Sequence, residues 1–275
     1  MPQRLSDLKI IIRGAGEMAT GTAWRLVRAG FHKLIMTEID FPLAVRRTVS
    51  FCEALYEGTS MVEGVQAVRI ASPDQVVQLW REGIVPVLID SSNTAKDIFK
   101  PDVLIDAILA KRNLGTALLD APLVIGLGPG FYAGTDVHYV VETNRGHDLG
   151  RLILEGSAVP DTGVPGDIGG QTLRRVLRSP RDGRFDSDFS IGTLVSEGQV
   201  VGQVDGQPVA TEIAGVLRGL IRPGLIVTRG LKIGDVDPRA NLSYCYTISE
   251  KARAIAGTVL EAILMRYNQP QREGM

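Results

Sequence analysis

The first 130 residues alternate short apolar runs with amphipathic stretches, and this rhythm constrains the fold more than any other feature. Apolar runs joined by helix-length crossovers build βαβ units, and these stack into a parallel sheet. LKIIIRGAG (8–16) reads as strand then turn. MATGTAWRLVRAG (18–30) follows with helical spacing at Met18, Trp24, Leu26 and Val27, and stops at Gly30. KLIMTEI supplies the next strand. Ser72 is expected to cap a helix running through Trp80, with Pro73 in its first turn. IVPVLID, DVLIDAIL and PLVIGLG are further strand candidates, the last two also compatible with short helices.

Beyond residue 130 the rhythm changes. Residues 131–190 are rich in Gly, Pro, Asp and Arg, and AVPDTGVPGDIGGQ (158–171) is dense in turn formers. From 190 to 237 short β-like runs repeat: IGTLVSEGQVV (191–201) aligns with LRGLIRPGLIV (217–227) at an offset of 26. Leu194 matches Leu220, Val195 matches Ile221, Gly198 matches Gly224 and Val201 matches Val227. Such a repeat suggests two halves of a small barrel or sandwich. It resembles the barrel-sandwich hybrid of biotinyl and lipoyl carriers, but VDGQPVATEIAG lacks the lysine that carriers present, and Lys232 lies near the end of the segment. A docking or packing module is therefore expected. ISEKARAIAGTVLEAILMRY reads as a C-terminal helix capped near Ser249, with apolar Ile255, Val259, Leu260, Ile263 and Leu264, followed by a frayed QPQREGM tail.

The expected class is α/β. A Rossmann-like parallel-sheet domain spans 1–150, a loop-rich connector 151–189 and a small all-β barrel-sandwich hybrid domain 190–238. The C-terminal helix, in 239–275, packs back on the first domain. Thirty basic against 31 acidic residues and only 5% aromatics argue against nucleic acid. No apolar run approaches the roughly 20 residues that span a bilayer, and no secretory apolar core precedes the first strand, so a cytoplasmic location is expected. Cys52 and Cys245 make neither a disulfide framework nor a zinc site. Cys52 reads as a buried hydrophobe, with receipt of sulfur or selenium as its functional alternative, and Cys245 reads as core.

Three groups of residues carry candidate chemistry. Gly14, Gly16 and Ala19, with Glu17 and Met18 between them, fit GxGxxA between a strand and a helix, a turn that lets a phosphate reach the helix N-terminus. Glu38, 24 residues after Gly14, stands where an acid would take ribose hydroxyls. Glu17 opposes an anion there, and Arg46 and Arg47 offer phosphate partners instead; a turn that binds nothing is the bland alternative. Lys111, Arg112 and Asn113 place two cations and an amide beyond a strand end, where open α/β sheets bind ligands. Asp90 to Thr94 form a similar polar strand end, or a loop that caps the next helix. In VIGLGPGFYAGTDVHYVVETNRGHDLG (124–150), Gly126, Gly128 and Gly130 suggest a backbone nest for an anion. Asp136, His138, Glu142 and His147 suggest proton transfer, with His138, Glu142 and His147 as catalytic candidates and a fixed metal the weaker reading because no tight ligand motif is present.

IIRGAGEMATGTAWRL, TEIDFPLAVRRTVSFCEALYEG, DAILAKRNLGT, DTGVPGDIGG, LKIGDVDPR and TISEKARAIAGTVLEAIL, together with the 124–151 stretch, resemble the YqeB-type accessory proteins of selenium-dependent molybdenum hydroxylase systems. That family is related in role to the XdhC/CoxI accessory proteins. The resemblance implies a phosphate-bearing cofactor, molybdenum cofactor as molybdopterin or its dinucleotide, held by Gly14, Gly16, Ala19, Lys111, Arg112 and Asn113. It also implies an apo molybdenum hydroxylase as partner, with a sulfur or selenium donor protein and self-association as further possibilities. An NAD(P)-dependent oxidoreductase using Glu38 with His138 or His147, and a non-catalytic interaction scaffold, are the competing expectations.

Overall fold

A computed structural model describes residues 4–268, so the QPQREGM tail lies outside the described residues. The first layer is a nine-stranded sheet. The chain enters it with β1 (Ile10–Arg13), α1 (Glu17–Arg28) and β2 (Leu34–Glu38). It continues through α2 (Ala54–Glu57), β3 (Thr59–Val62), β4 (Val65–Ile70), α3 (Val76–Glu82), β5 (Val85–Ile89) and α4 (Ala95–Phe99). It closes with β6 (Val103–Asp106), β7 (Leu123–Leu127), β8 (Tyr139–Val141) and β9 (Leu152–Ile153). The order is β3-β4-β5-β2-β1-β6-β7-β8-β9, parallel from β4 to β8 and antiparallel only at the edge strands β3 and β9. All three later runs, the two ambiguous ones included, are therefore strands: each is flanked on both edges by neighbouring strands of the sheet.

The alternation along β1 assigns its faces. Ile10 and Ile12 join Leu34, Met36, Ile105, Leu123 and Ile125 in one core, while Ile11 joins Ile35, Ile70 and Val76 on the other side. α1 and α6 (Glu250–Tyr267) cover the first face through Ala19, Ala23, Leu26, Ala252, Ile255 and Val259. They cross closely at Gly21, where an added Cβ would stand 2.9 Å from the Ala252 Cβ. Ser72 caps the next helical segment with a complete capping box to Gln75; its first turn, Pro73–Gln75, is a tighter 3-10 turn before α3.

The second layer is antiparallel. It comprises β10 (Val176–Arg178), β11 (Gly183–Asp186), β12 (Leu194–Val195), β13 (Val200–Val204), β14 (Gln207–Ala210), β15 (Gly215–Leu220), β16 (Ile226–Val227) and β17 (Lys232–Asp237). Two four-stranded sheets result, β10-β17-β15-β12 and β14-β13-β11-β16, around a core of Phe185, Val204, Leu217, Ile221, Ile233 and Val236. No closed barrel forms among the described residues. Register breaks at Leu177/Arg178, Val200/Gly202 and Leu217/Gly219 bend the strands within two separate sheets. The repeat at offset 26 is seen in the turns of Gly198 and Gly224, both at positive φ, and in buried Val201 and Val227. It fails at Leu194, which is exposed while Leu220 is buried.

Strand pairing crosses the boundaries expected at 150 and 190. β9 completes the first sheet, and β10 and β11, inside the expected connector, pair with β17 and with β13 and β16. Arginines at Arg178 and Arg184 interrupt these short apolar runs and hide them as strands in the sequence. α5 (Ser243–Tyr246) also packs with the antiparallel layer, placing Cys245 in that core, whereas α6 packs on α1.

Because the Gly21 contact has no room for a branched side chain, Gly21→Val should force α1 and α6 apart. A loss of about 1–3 kcal/mol in denaturant unfolding is expected. An unchanged midpoint would show that the contact is not limiting.

Candidate functional site

The carboxyl ends of the parallel strands face a cleft of about 590 Å3. Gly16, Glu17 and Met18 enter it from the start of α1, Arg46 from the loop after β2, and Leu109 and Lys111 from the loop after β6. Thr143 to Arg145 follow β8. The turn-dense segment 159–168 forms one wall, and Arg175, Arg178, Arg218 and Lys232 of the antiparallel layer form another. Ser249 and Lys251 come from the start of α6. Eight cationic side chains (Arg46, Lys111, Arg145, Arg175, Arg178, Arg218, Lys232 and Lys251) thus line the cleft against three carboxylates, Glu17, Asp161 and Asp235.

Part of this charge is compensated. Arg46 donates to Glu17, Arg175 donates to Asp235, and Lys232 reaches Asp235 at 3.3 Å. Arg218, only 4% exposed, lies 3.4 Å from Asp237, which Arg239 holds more closely at 2.6 Å. Burial pushes the Arg218 guanidinium down, with Arg46 adding to the effect. The Nε atoms of Arg46 and Arg218 have no hydrogen-bond partner although both are buried. Lys251 is pushed down from 10.5 to about 8, first by burial and then by Lys111 and Arg145.

The strand-end loops are held by buried polar networks. Arg13 at the end of β1 donates to Asp106 at 3.1 Å and to the Leu114 carbonyl at 3.2 Å, and Thr116 donates to Asp106 at 2.6 Å. This clamp fixes the loop that carries Lys111. Glu142, 3% exposed, accepts from the N–H of Asn144 and of Val159, each at 2.7 Å, tying the end of β8 to the 159–168 wall.

Of the residues singled out in the sequence, Gly16, Glu17, Met18, Arg46 and Lys111 line the cleft. Gly14 does not; its φ of +95° and its approach to the Ala107 carbonyl serve the turn. Ala19 is fully buried in the core. Glu38 stands away from the cleft wall and accepts from the N–H of Ala15 at 2.8 Å and of Ile39 at 2.9 Å, so it fastens the glycine turn. Burial raises its pKa against those two bonds. Arg112 is exposed outside the cleft, and Asn113 closes its own turn on the N–H and carbonyl of Thr116. The nest expected at Gly128 and Gly130 is otherwise employed: the Gly128 N–H donates to Val141, and Gly130 lies against the Arg112 backbone.

The catalytic candidates do not converge. His138 precedes β8 and lies at the amino end of the sheet, in a separate hollow of about 640 Å3 with Lys96, Asp120 and Pro122. Its Nδ1 accepts from the Val124 N–H at 3.0 Å, and burial and Arg266 push its pKa down. Glu142 is a staple, and His147 is exposed outside the cleft. Asp136 closes a turn on the Tyr132 N–H. Among the described residues no three His, Cys, Asp or Glu side chains gather as a metal-binding group. Asp90 caps α4 through the N–H groups of Thr94 and Ala95. Cys52 is fully buried, with its thiol pushed well up by burial and by Glu38 and Glu53, and behaves as a core hydrophobe.

Sequence reasoning missed Arg145, Arg175, Arg178, Arg218, Lys232 and Lys251 as site residues. One signal was available: Arg218 interrupts the apolar run GVLRGL, an inward-facing charge that needs a reason.

No protein-family model matches the chain. The uncharacterized protein YqeB of Escherichia coli (strain K12) is 46% identical over 260 residues, covering 94% of this chain and 48% of that protein. The chain is a homologue of YqeB. It spans about half the length of that relative. Among solved structures, TcdA (CsdL) aligns over 96% of this chain and 90% of its own at 12% identity and a TM-score of 0.34. An aspartoacylase family protein from Mesorhizobium loti covers 83% and 84% at 13% identity and a TM-score of 0.27. Scores this low carry no argument about chemistry. The YqeB relationship rests on sequence alone. No helix among the described residues is long and apolar enough to cross a membrane.

The Lys251 amine has a sign that stability can report. Its pKa is lowered in the fold, so the unfolded chain binds the extra proton between pH 8 and 10.5 and stability rises with pH across that window. Lys251→Met removes the cost of the buried charge. The variant should melt higher than the parent at pH 7, and the difference should shrink as pH rises above 8. An unchanged difference from pH 7 to 10 would show that Lys251 titrates normally.

Proposed function

We propose that this chain is an accessory factor of a selenium-dependent molybdenum hydroxylase, holding a phosphate-bearing cofactor of the molybdopterin type in the cationic cleft and delivering or modifying it. The observation that carries the reading is the excess of eight cations over three carboxylates on the cleft wall, beside the N-termini of α1 and α6. Unpaired N–H groups at helix starts favour anions, and guanidinium forks suit phosphate oxygens. The residues fit such a group. Gly16 has open space where a Cβ would stand, and the buried Nε atoms of Arg46 and Arg218 await an acceptor. Lys111, Arg145 and Arg218 would hold the phosphates. The molybdenum centre supplies the redox chemistry of the finished hydroxylase, and this chain's part is binding and orientation.

On this reading the parallel sheet serves as a Rossmann-like cofactor unit and the antiparallel layer as a docking module of the barrel-sandwich type for the partner enzyme, in the cytoplasm. The molybdopterin identity comes from the resemblance in the motifs; the cleft by itself supports a phosphate-bearing anion. An NAD(P) oxidoreductase is disfavoured because Glu38 already holds the N–H groups of Ala15 and Ile39.

Calorimetric titration with molybdenum cofactor, NAD(H), NADP(H) and inorganic pyrophosphate tests the reading. Molybdenum cofactor should bind more tightly than either nicotinamide nucleotide. Lys111→Ala should weaken it about ten-fold, the loss of one charged phosphate contact, with the melting temperature unchanged because Lys111 is exposed. Arg112→Ala, outside the cleft, should leave it unaltered. Tight NAD(H) binding with turnover of a carbonyl substrate would overturn the reading. Binding of none of the four would favour an interaction scaffold.

A further inference from the structure

Lys251 stands where an ammonium ion is poorly stabilised. It is the second residue of α6, so its charge would sit in the first turn, over the positive end of the helix dipole. It is half-buried in the cleft wall. The charged groups that act on it are Lys111 from the β6 loop, Arg145 from the β8 loop and Lys232 of β17, all cations, with Glu17 of α1 as the opposing charge. That carboxylate is engaged by Arg46. The other nearby acids are also committed or remote: Glu250 is held by Arg145, Asp235 by Arg175 and Lys232, and Asp161 lies exposed in the 159–168 wall. The Lys251 Nζ makes no hydrogen bond or ion pair among the described residues. Lysines that are partly desolvated beside other cations are the ones that act as nucleophiles, because the neutral amine is populated near neutral pH.

We propose that Lys251 is a nucleophilic amine and that the cleft around it captures anionic carbonyl compounds, phosphate- or carboxylate-bearing aldehydes or ketones, as an imine. The Nζ lone pair forms a bond to the carbonyl carbon as the C=O π pair moves to oxygen, and one N–H proton passes to that oxygen; the second leaves with the hydroxyl as water. Loss of water then breaks the C–O bond and leaves C=N. No electron is transferred and no co-reactant is needed. Lys111, Arg145 and Arg218 hold the anionic end of the ligand, and the charge of the first two weakens the amine's hold on its proton, so that a neutral fraction is present near neutral pH. The proposal rests on the anion-binding part of the reading above and is independent of molybdenum.

The test uses the full chain at pH 8 with a substoichiometric amount of pyridoxal 5′-phosphate, a phosphate-bearing aldehyde. Borohydride reduction and peptide mapping follow. An amine half neutral at that pH outcompetes ordinary lysines, so Lys251 should label at least about ten-fold faster than any other lysine. The rate should level off above about pH 8. Inorganic pyrophosphate should slow the labelling, and pyridoxal without the phosphate should lose the selectivity. Lys251→Arg should abolish the labelled peptide while keeping the melting temperature within a few degrees. Label spread evenly over the lysines, or concentrated on Lys111, overturns the proposal. Calorimetry separates the two readings. Pyrophosphate binding without selective Lys251 labelling leaves the anion cleft standing and removes the nucleophile. Selective labelling by pyridoxal and its phosphate alike, without pyrophosphate binding, removes the anionic ligand class and the cleft reading together.

Discussion

The contact between Arg46 and Glu17 is the constraint on which the rest of the molecule depends. Arg46 is 6% exposed and reaches three parts of the chain at once. One end of its guanidinium donates to Glu17 in the first turn of α1, and the other donates to the carbonyls of Tyr244 at 2.6 Å and Thr247 at 3.1 Å, just before α6. The residue before it accepts from the Leu220 N–H at 2.8 Å, and the residue after it donates to the Leu220 carbonyl, also at 2.8 Å. One short segment after β2 therefore joins the parallel sheet, the antiparallel layer and the C-terminal helix. A buried ion pair contributes little net stability by comparison with an apolar contact, but removing one partner strands a charge, so such a pair specifies geometry.

That geometry explains how a chain with a net charge of −1 concentrates cations in one place. The cleft draws them from seven separate segments: the loops after β2, β6 and β8, three segments of the antiparallel layer (175–178, β15 and β17), and the start of α6. Two of the loops are anchored by side chains that do not line the cleft. Arg13, Asp106 and Thr116 clamp the loop of Lys111, and Glu142 ties the 159–168 wall. Close like charges cost stability, and the networks around them offset that cost. The lowered affinity of Lys251 for its proton reflects the same crowding.

Much of the parallel sheet was legible in the sequence. β1, β2, β5, β6 and β7 are apolar runs bounded by turn residues, and α1, the Ser72 cap and α6 follow helix start and stop rules. The β3–β4 hairpin was not legible: Thr59, Ser60 and Met61 leave β3 partly exposed at the sheet edge, where alternation is weak. β10 and β11 were hidden by arginines, and their membership depends on distant partners. In the candidate site, the glycine turn and Lys111 were found because local spacing marks them. The partners of Glu38, Asn113, Glu142 and His138 were not legible, because polar residues near a strand end look alike until the fold brings their partners to them. All four complete hydrogen bonds of nearby backbone, and His138 does so at the opposite end of the sheet.

The sequence by itself determined the alternating elements, the burial of the central strands, the tight turn at Gly14 to Gly16 and the relationship to YqeB, because each of these is written in local spacing or in residue identity over a long span. Only the tertiary structure decided which charges meet. Lys111, Arg145, Arg218 and Lys251 are separated by scores of residues, and no periodicity relates them. They converge because the carboxyl edge of a parallel sheet collects its loops on one side, and because Arg46 fixes the antiparallel layer and the start of α6 against that same edge.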